Sequence, residues 1–108
     1  MNTEKRDFNK EASSWDENPV RVKLANDVAN TIKKQVKLTP EMEVMDFGCG
    51  TGLITLQMQP FVKSITGIDS SEGMLEILNS KIDKLKLDNT KSLLVDLDKG
   101  DILKVNID

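Results

Sequence analysis

The sequence predicts an α/β fold, an open parallel sheet with helices packed on its faces. Three observations carry that expectation. Short apolar runs at 42–47, 61–68 and 92–97 alternate with stretches of helical periodicity. The first two runs close on Gly48 and Asp69, and each leads directly into a helical segment. The chain has 108 residues, the size of one domain. Strands alternating with helices of this length imply βαβ units, and right-handed crossovers place the helices over the sheet.

The elements follow in order. Residues 1–18 form a polar lead-in with two aromatics, Phe8 and Trp15. Residues 19–37 read as a helix, because Leu24, Val28, Ile32 and Val36 repeat every four positions. Asn18 is its expected cap, Pro19 sits in its first turn, and Thr39-Pro40 stops it. Strand 42–47 follows, then a short helix over 53–58 ended by Pro60, then strand 61–68. A helix over 72–87 carries Met74, Leu75, Ile77, Leu78, Ile82 and Leu85 as its apolar stripe. Lys81, Lys84 and Lys86 on this helix read as a solvated face. Asp88-Asn89 is a turn, 92–97 a third strand, and Asp98-Lys99-Gly100-Asp101 a further turn. The tail at 97–108 is ambiguous, with 102–107 a candidate fourth short strand. The whole of 1–108 reads as one domain without repeats.

Composition excludes several chemistries. With no His there is no Ser-His-Asp triad, no Cys-His pair and no His-ligated metal. One Cys gives no internal disulfide and no thiolate zinc site, so no metal site is expected. Lys plus Arg is 15 against 18 for Asp plus Glu, a net charge of −3, which offers no electrostatic footprint for nucleic acid. No apolar run reaches the ~18–20 residues of a membrane span, and residues 1–18 lack the apolar centre of a signal peptide. A cytoplasmic location is the expectation.

The chemistry concentrates at Asp46-x-Gly48-x-Gly50-x-Gly52, between a strand and a helix. Glycine accepts positive φ and lets backbone approach a ligand closely. The following helix offers unpaired N–H groups, and ligands of open parallel sheets bind beyond the carboxyl ends of the strands. A dinucleotide loop wants its third glycine five positions after its first, whereas here Gly52 comes four after Gly48. Asp46 also stands two positions before the first glycine. An anion cradle has no need of that carboxylate, and a cationic, amine-bearing ligand would benefit from it.

Val44-Met45-Asp46-Phe47-Gly48-Cys49-Gly50-Thr51-Gly52 resembles the signature of the class I S-adenosylmethionine-dependent methyltransferases. The resemblance implies a Rossmann-like three-layer α/β/α sheet and S-adenosylmethionine as cofactor. It implies that Asp46, Gly48, Cys49, Gly50 and Gly52 wrap the methionine part. Ile65-Thr66-Gly67-Ile68-Asp69-Ser70-Ser71 is similar to the segment after the family's second strand. There Asp69, with Ser70 beside it, would bind the ribose hydroxyls. Asp69 read structurally is a carboxylate favoured by a helix N-terminus, although no capping box supports that, since Met74 stands three after Ser71. Leu94-Val95-Asp96-Leu97 matches the third mark, with Asp96 and Leu97 near the adenine, and Met74 falls where the family packs an apolar residue on that ring. Met74 read plainly is core, and Cys49 is a small residue with no His to activate it. Ala12-Ser13-Ser14-Trp15-Asp16 followed by Arg21 is similar to the segment that covers the pocket in small-molecule methyltransferases of this class. Trp15 reads equally as pocket cover or as ordinary packing.

The family sheet runs 3-2-1-4-5-7-6, and this chain carries its first three strands, a truncated order 3-2-1. The family's fourth strand, which usually brings substrate and catalytic residues, has no convincing counterpart beyond the candidate at 102–107, and no general base stands out. The expected activity is methyl transfer to a small-molecule acceptor. The alternatives are a cofactor-binding module inactive without a partner or the remaining half, and a dinucleotide-dependent oxidoreductase, which the glycine spacing disfavours. Strand 42–47 would have one edge unpaired, so self-association through that edge, or its coverage by 102–107, is expected.

Overall fold

The computed structural model describes residues 7–96. Helix α1 spans Phe8–Trp15, α2 Pro19–Gln35, strand β1 Glu43–Phe47, α3 Thr55–Met58, β2 Ser64–Asp69, α4 Glu72–Leu85 and β3 Thr90–Leu94, with a 3-10 turn at Gln59–Phe61. The strands form one sheet in the order β1-β2-β3, parallel throughout. Val44 stands opposite Ile65, and Ile65 opposite Thr90. This is the open parallel sheet that the alternation implies, in the Rossmann-like order 3-2-1 that the family resemblance implies. The candidate strand at 102–107 lies outside the described residues.

Both crossovers lie on one face, as two right-handed connections in the same direction require. Ala29 of α2 and Met58 of α3 pack with Val62 and Ile65, and Val44 joins them from β1. Two positions along β2 on the same face, Gly67 meets Leu78 of α4. On the opposite face Phe47 is 60% and Leu93 41% exposed. The described residues therefore supply two of the three expected layers. Each large side chain buried here, such as Ile65 or Leu78, contributes roughly 1.5–3 kcal/mol.

Several elements differ from expectation, and β2 is one of them, because Phe61 closes the 3-10 turn and the strand begins only at Ser64. The lead-in contains a helix, α1. Asp7 caps it by accepting the Lys10 N–H at 3.2 Å, and Phe8, Ala12 and Trp15 fall at i, i+4 and i+7. On α2 the expected bulky stripe is not the buried one. Leu24 is 62% and Val36 45% exposed, while Ala25 and Ala29 are buried. The small residues let the helix pack against Met58 of α3 and the core beneath it, and Ile32 completes their i, i+4, i+7 stripe. The helix after the glycine loop is only Thr55–Met58, too short to contribute much of a dipole. Strand β3 starts two residues earlier than expected, with Thr90 buried against the sheet.

The cap of α2 is as expected, since Asn18 accepts the Val20 N–H at 2.9 Å ahead of Pro19. Helix α4 starts on Ser71, whose Oγ accepts the Met74 N–H at 3.2 Å. It ends on Lys86 in the left-handed region at φ 53°.

Candidate functional site

The site stands at the carboxyl ends of β1 and β2, where the chain leaves the sheet twice. After β1, Gly48, Gly50 and Gly52 take φ of +71°, +57° and +90°. This is the left-handed region that L side chains avoid. A Cβ on Gly48 would meet nothing within 4 Å, so the backbone there borders open space. A Cβ on Gly52 would stand 2.5 Å from Leu78 Cδ1, so that glycine is also needed for packing.

Three sources hold the loop in this shape. The Ile68 carbonyl accepts the N–H groups of Gly48 at 2.7 Å and Cys49 at 3.0 Å. Asp69 Oδ2 accepts the Gly50 N–H at 2.8 Å. Asp16, at the end of α1, accepts the Thr51 hydroxyl. Thr51 itself is buried.

Asp69 also accepts the Ser71 N–H through Oδ1 at 2.9 Å. The carboxylate thus joins the glycine loop to the start of α4, and the structural and binding readings meet in one side chain. Each oxygen keeps a second lone pair, so both can accept from a ligand hydroxyl. Asp46 accepts the Thr55 hydroxyl on Oδ2 at 2.7 Å. Burial pushes its carboxyl above the ordinary range; the Thr55 hydrogen bond works against that, and the Asp69 charge adds to it. Two carboxylates that repel one another suit a cation placed beside them.

Of the remaining expected cofactor-binding residues, those described lie at the same end. Ser70 is exposed beside Asp69. Asp96 follows the last β2–β3 contact, the Val95 N–H donated to the Asp69 carbonyl at 3.0 Å, and is half-buried. Met74 is buried, with its sulfur 3.9 Å from where a Cβ on Gly50 would stand, so it underlies the loop. Cys49 packs against Leu75 and Leu78. Burial, with the charges of Asp69 and Asp46, pushes its thiol up to about 12. Leu97 lies outside the described residues. Trp15 packs edge-on to Phe8 at 5.9 Å, and the Arg21 guanidinium lies 3.6 Å from the centre of its ring.

Sequence reasoning missed four contributors. Thr55 and Thr51 are the polar residues that tie Asp46 and the loop in place. Asn9 accepts the Ser71 hydroxyl and the Gly73 N–H, each at 2.6 Å. Lys81 was expected on a solvated face, but its ammonium bonds Asp16 at 2.6 Å and the Thr51 carbonyl at 2.9 Å. Lys84 and Lys86 are exposed as expected. The one signal available for Lys81 was its place a turn beyond Leu78, which faces the loop.

A glycine loop at positive φ, two strand-end acids and an open parallel sheet define a class I, S-adenosylmethionine-dependent methyltransferase fold. Residues 44–107 match the methyltransferase domain family, and the chain belongs to it. A Saccharomyces cerevisiae relative, "Probable S-adenosylmethionine-dependent methyltransferase CRG1", is 36% identical over 81 residues, 75% of this chain and 28% of its own length. The malonyl-[acyl-carrier protein] O-methyltransferase of Bacillus cereus is 34% identical over 77 residues, 68% of this chain and 29% of its own. An S-adenosylmethionine-dependent methyltransferase of Aquifex aeolicus has a similar structure. Its TM-score is 0.65 at 24% identity, over 82% of this chain and 47% of that one. The chain therefore spans less than a third of these two curated relatives and about half of the solved structure. Among the described residues, no helix is long and apolar enough to cross a membrane.

Proposed function

We propose that this chain binds S-adenosylmethionine at the carboxyl ends of β1 and β2 and supports methyl transfer to a small-molecule acceptor. The observation that carries the reading is the joining of the glycine loop to Asp69, which puts a carboxylate, an open backbone stretch and a second acid, Asp46, at one place. The donor set fits the cofactor. Asp69 accepts hydrogen bonds from the two ribose hydroxyls through its free lone pairs. An ammonium or a sulfonium beside Asp46 would relieve its repulsion from Asp69. Gly48 leaves room for the methionine part, and Asp96 with Leu97 is assigned to the adenine.

The cofactor supplies an electrophilic methyl group, so the protein's task is positioning. The glycine loop and Asp69 hold the donor; an acceptor base comes from outside the residues assigned here. A cytoplasmic setting, with its small-molecule acceptors, belongs to the same reading. The test is calorimetric titration with S-adenosylhomocysteine, with NAD as control. Micromolar binding of the first and none of the second supports the reading, and the reverse overturns it.

We propose further that the β1 edge is an interaction surface. Among the described residues, strand β1 is paired on one side only, and Phe47 at its end is 60% exposed. That is the edge where the family order places its fourth strand. In this reading the edge is met by a second copy of the chain or covered by residues 102–107.

A further inference from the structure

Helix α1 touches both halves of the proposed cofactor site. At its start, Asn9 Oδ1 takes the Ser71 hydroxyl and the Gly73 N–H, each at 2.6 Å, where α4 begins next to Asp69. At its end, Asp16 takes the Thr51 hydroxyl from the glycine loop and pairs with Lys81 of α4 at 2.6 Å. Lys81 closes this arrangement by donating to the Thr51 carbonyl at 2.9 Å. Thr51 is thus held at both its hydroxyl and its carbonyl, between two glycines whose φ is positive. A loop with this much backbone freedom is costly to order unless it is tied beforehand.

The contact is close by construction. A Cβ on Gly73 would stand 2.8 Å from Asn9 Cα and 3.0 Å from its carbonyl oxygen. Those are backbone atoms and cannot rotate away. Ala12 is buried on the same helix. Glycine near the start of α4 is therefore a packing requirement of α1, at a position where alanine would favour the helix by about 1 kcal/mol.

We infer that Asp16, with Lys81 and Asn9, is a positioning residue, and that the docking of α1 preorganises the glycine loop for the cofactor. The inference rests on the cofactor reading above. None of the three residues is assigned a contact with the cofactor. Because coupling is reciprocal, a bound cofactor strengthens α1 docking by the factor by which α1 strengthens cofactor binding.

The test uses Gly73→Ala and Asp16→Asn beside the wild-type chain. S-adenosylhomocysteine affinity is measured by calorimetry, and amide hydrogen exchange is read with and without this ligand. In the wild type, the ligand should slow exchange in α1 as well as in residues 48–52. Gly73→Ala should lose about tenfold in affinity, within the usual range of such couplings, with the sheet and α4 still protected. Asp16→Asn keeps the shape and the hydroxyl bond but weakens the pair with Lys81, so its loss should be smaller and should shrink in high salt. If both variants bind as tightly as the wild type, or if the ligand protects the loop without protecting α1, the coupling is overturned while the cofactor reading stands. A wild-type chain that binds no S-adenosylhomocysteine overturns both.

Discussion

Asp69 Oδ2 accepts the Gly50 N–H at 2.8 Å across 19 residues of chain, so the acid ending β2 holds the loop that ends β1. The same carboxylate takes the Ser71 N–H at 2.9 Å. One side chain therefore shapes the loop, starts α4 and carries the proposed ribose contact. Asp69→Ala should fail in two measurable ways. Loss of charge-assisted bonds, at about 1.5–3 kcal/mol each, should lower S-adenosylhomocysteine affinity at least about a hundredfold. It should also destabilise the free chain. Asp69→Asn, which keeps an acceptor for one N–H, should melt closer to the wild type while still binding weakly. Thermal unfolding with and without ligand separates the two effects.

Asp46 should show a pH dependence of defined sign. Its folded carboxyl titrates above its unfolded value, mainly through burial. The folded chain then holds this proton more tightly, so stability falls as pH climbs from the unfolded value through the folded one. Asp46→Asn removes that loss. The variant should therefore be the more stable of the two at neutral pH and melt at a higher Tm there. Cofactor binding should behave oppositely. A cationic ligand favours the ionised acid, so wild-type affinity should rise with pH over the same window, and the Asn variant should lack that rise.

Cys49 should be inert in the folded chain. Its thiol is buried and pushed up to about 12, so the reactive thiolate is scarce near neutral pH. Iodoacetamide at pH 8 should modify it only after denaturant is added, and rapid modification of the native chain would contradict the packing described.

Gly67 tests the fit of α4 to the sheet. A Cβ there would stand 2.8 Å from Cys49 Sγ and 2.9 Å from Leu78 Cδ2. Gly67→Ala should cost about 1–3 kcal/mol by overpacking, a fall of roughly 4–8 °C in Tm for each kcal/mol. The paired variant with Leu78→Val should recover part of it.

The β1 edge should show itself in sedimentation equilibrium. The wild-type chain should associate with rising concentration, and Phe47→Glu, which puts a charge beside the edge, should reduce this without lowering Tm. A monomeric wild type at high concentration would contradict self-association.

The sheet and the glycine loop were legible because their signals are local. Strand β1, the spacing of three glycines and Asp69 lie in short segments whose chemistry allows few alternatives. Helix α1 was less visible, because Asn9, Ser13 and Ser14 weaken its helical character and only Phe8, Ala12 and Trp15 mark its apolar side, where Ala12 is the buried residue. The buried face of α2 was misassigned because Leu24 and Val28 outweigh Ala25 and Ala29 in any count of apolar bulk. Packing against Met58 of α3 rewards the small residue Ala29 instead. Lys81 and Asp16 could not be paired from sequence at all. Their contact spans 65 positions and depends on how α1 lies over α4.

The central claim is that the loop joined to Asp69 is the cofactor's seat. The most direct measurement is the amide NMR spectrum of the labelled chain titrated with S-adenosylhomocysteine. The account predicts saturable shifts at Gly48, Gly50, Gly52, Asp69 and Ser70, and no shifts there with NAD. Shifts confined to residues away from the carboxyl ends of β1 and β2, or none at millimolar ligand, would contradict it.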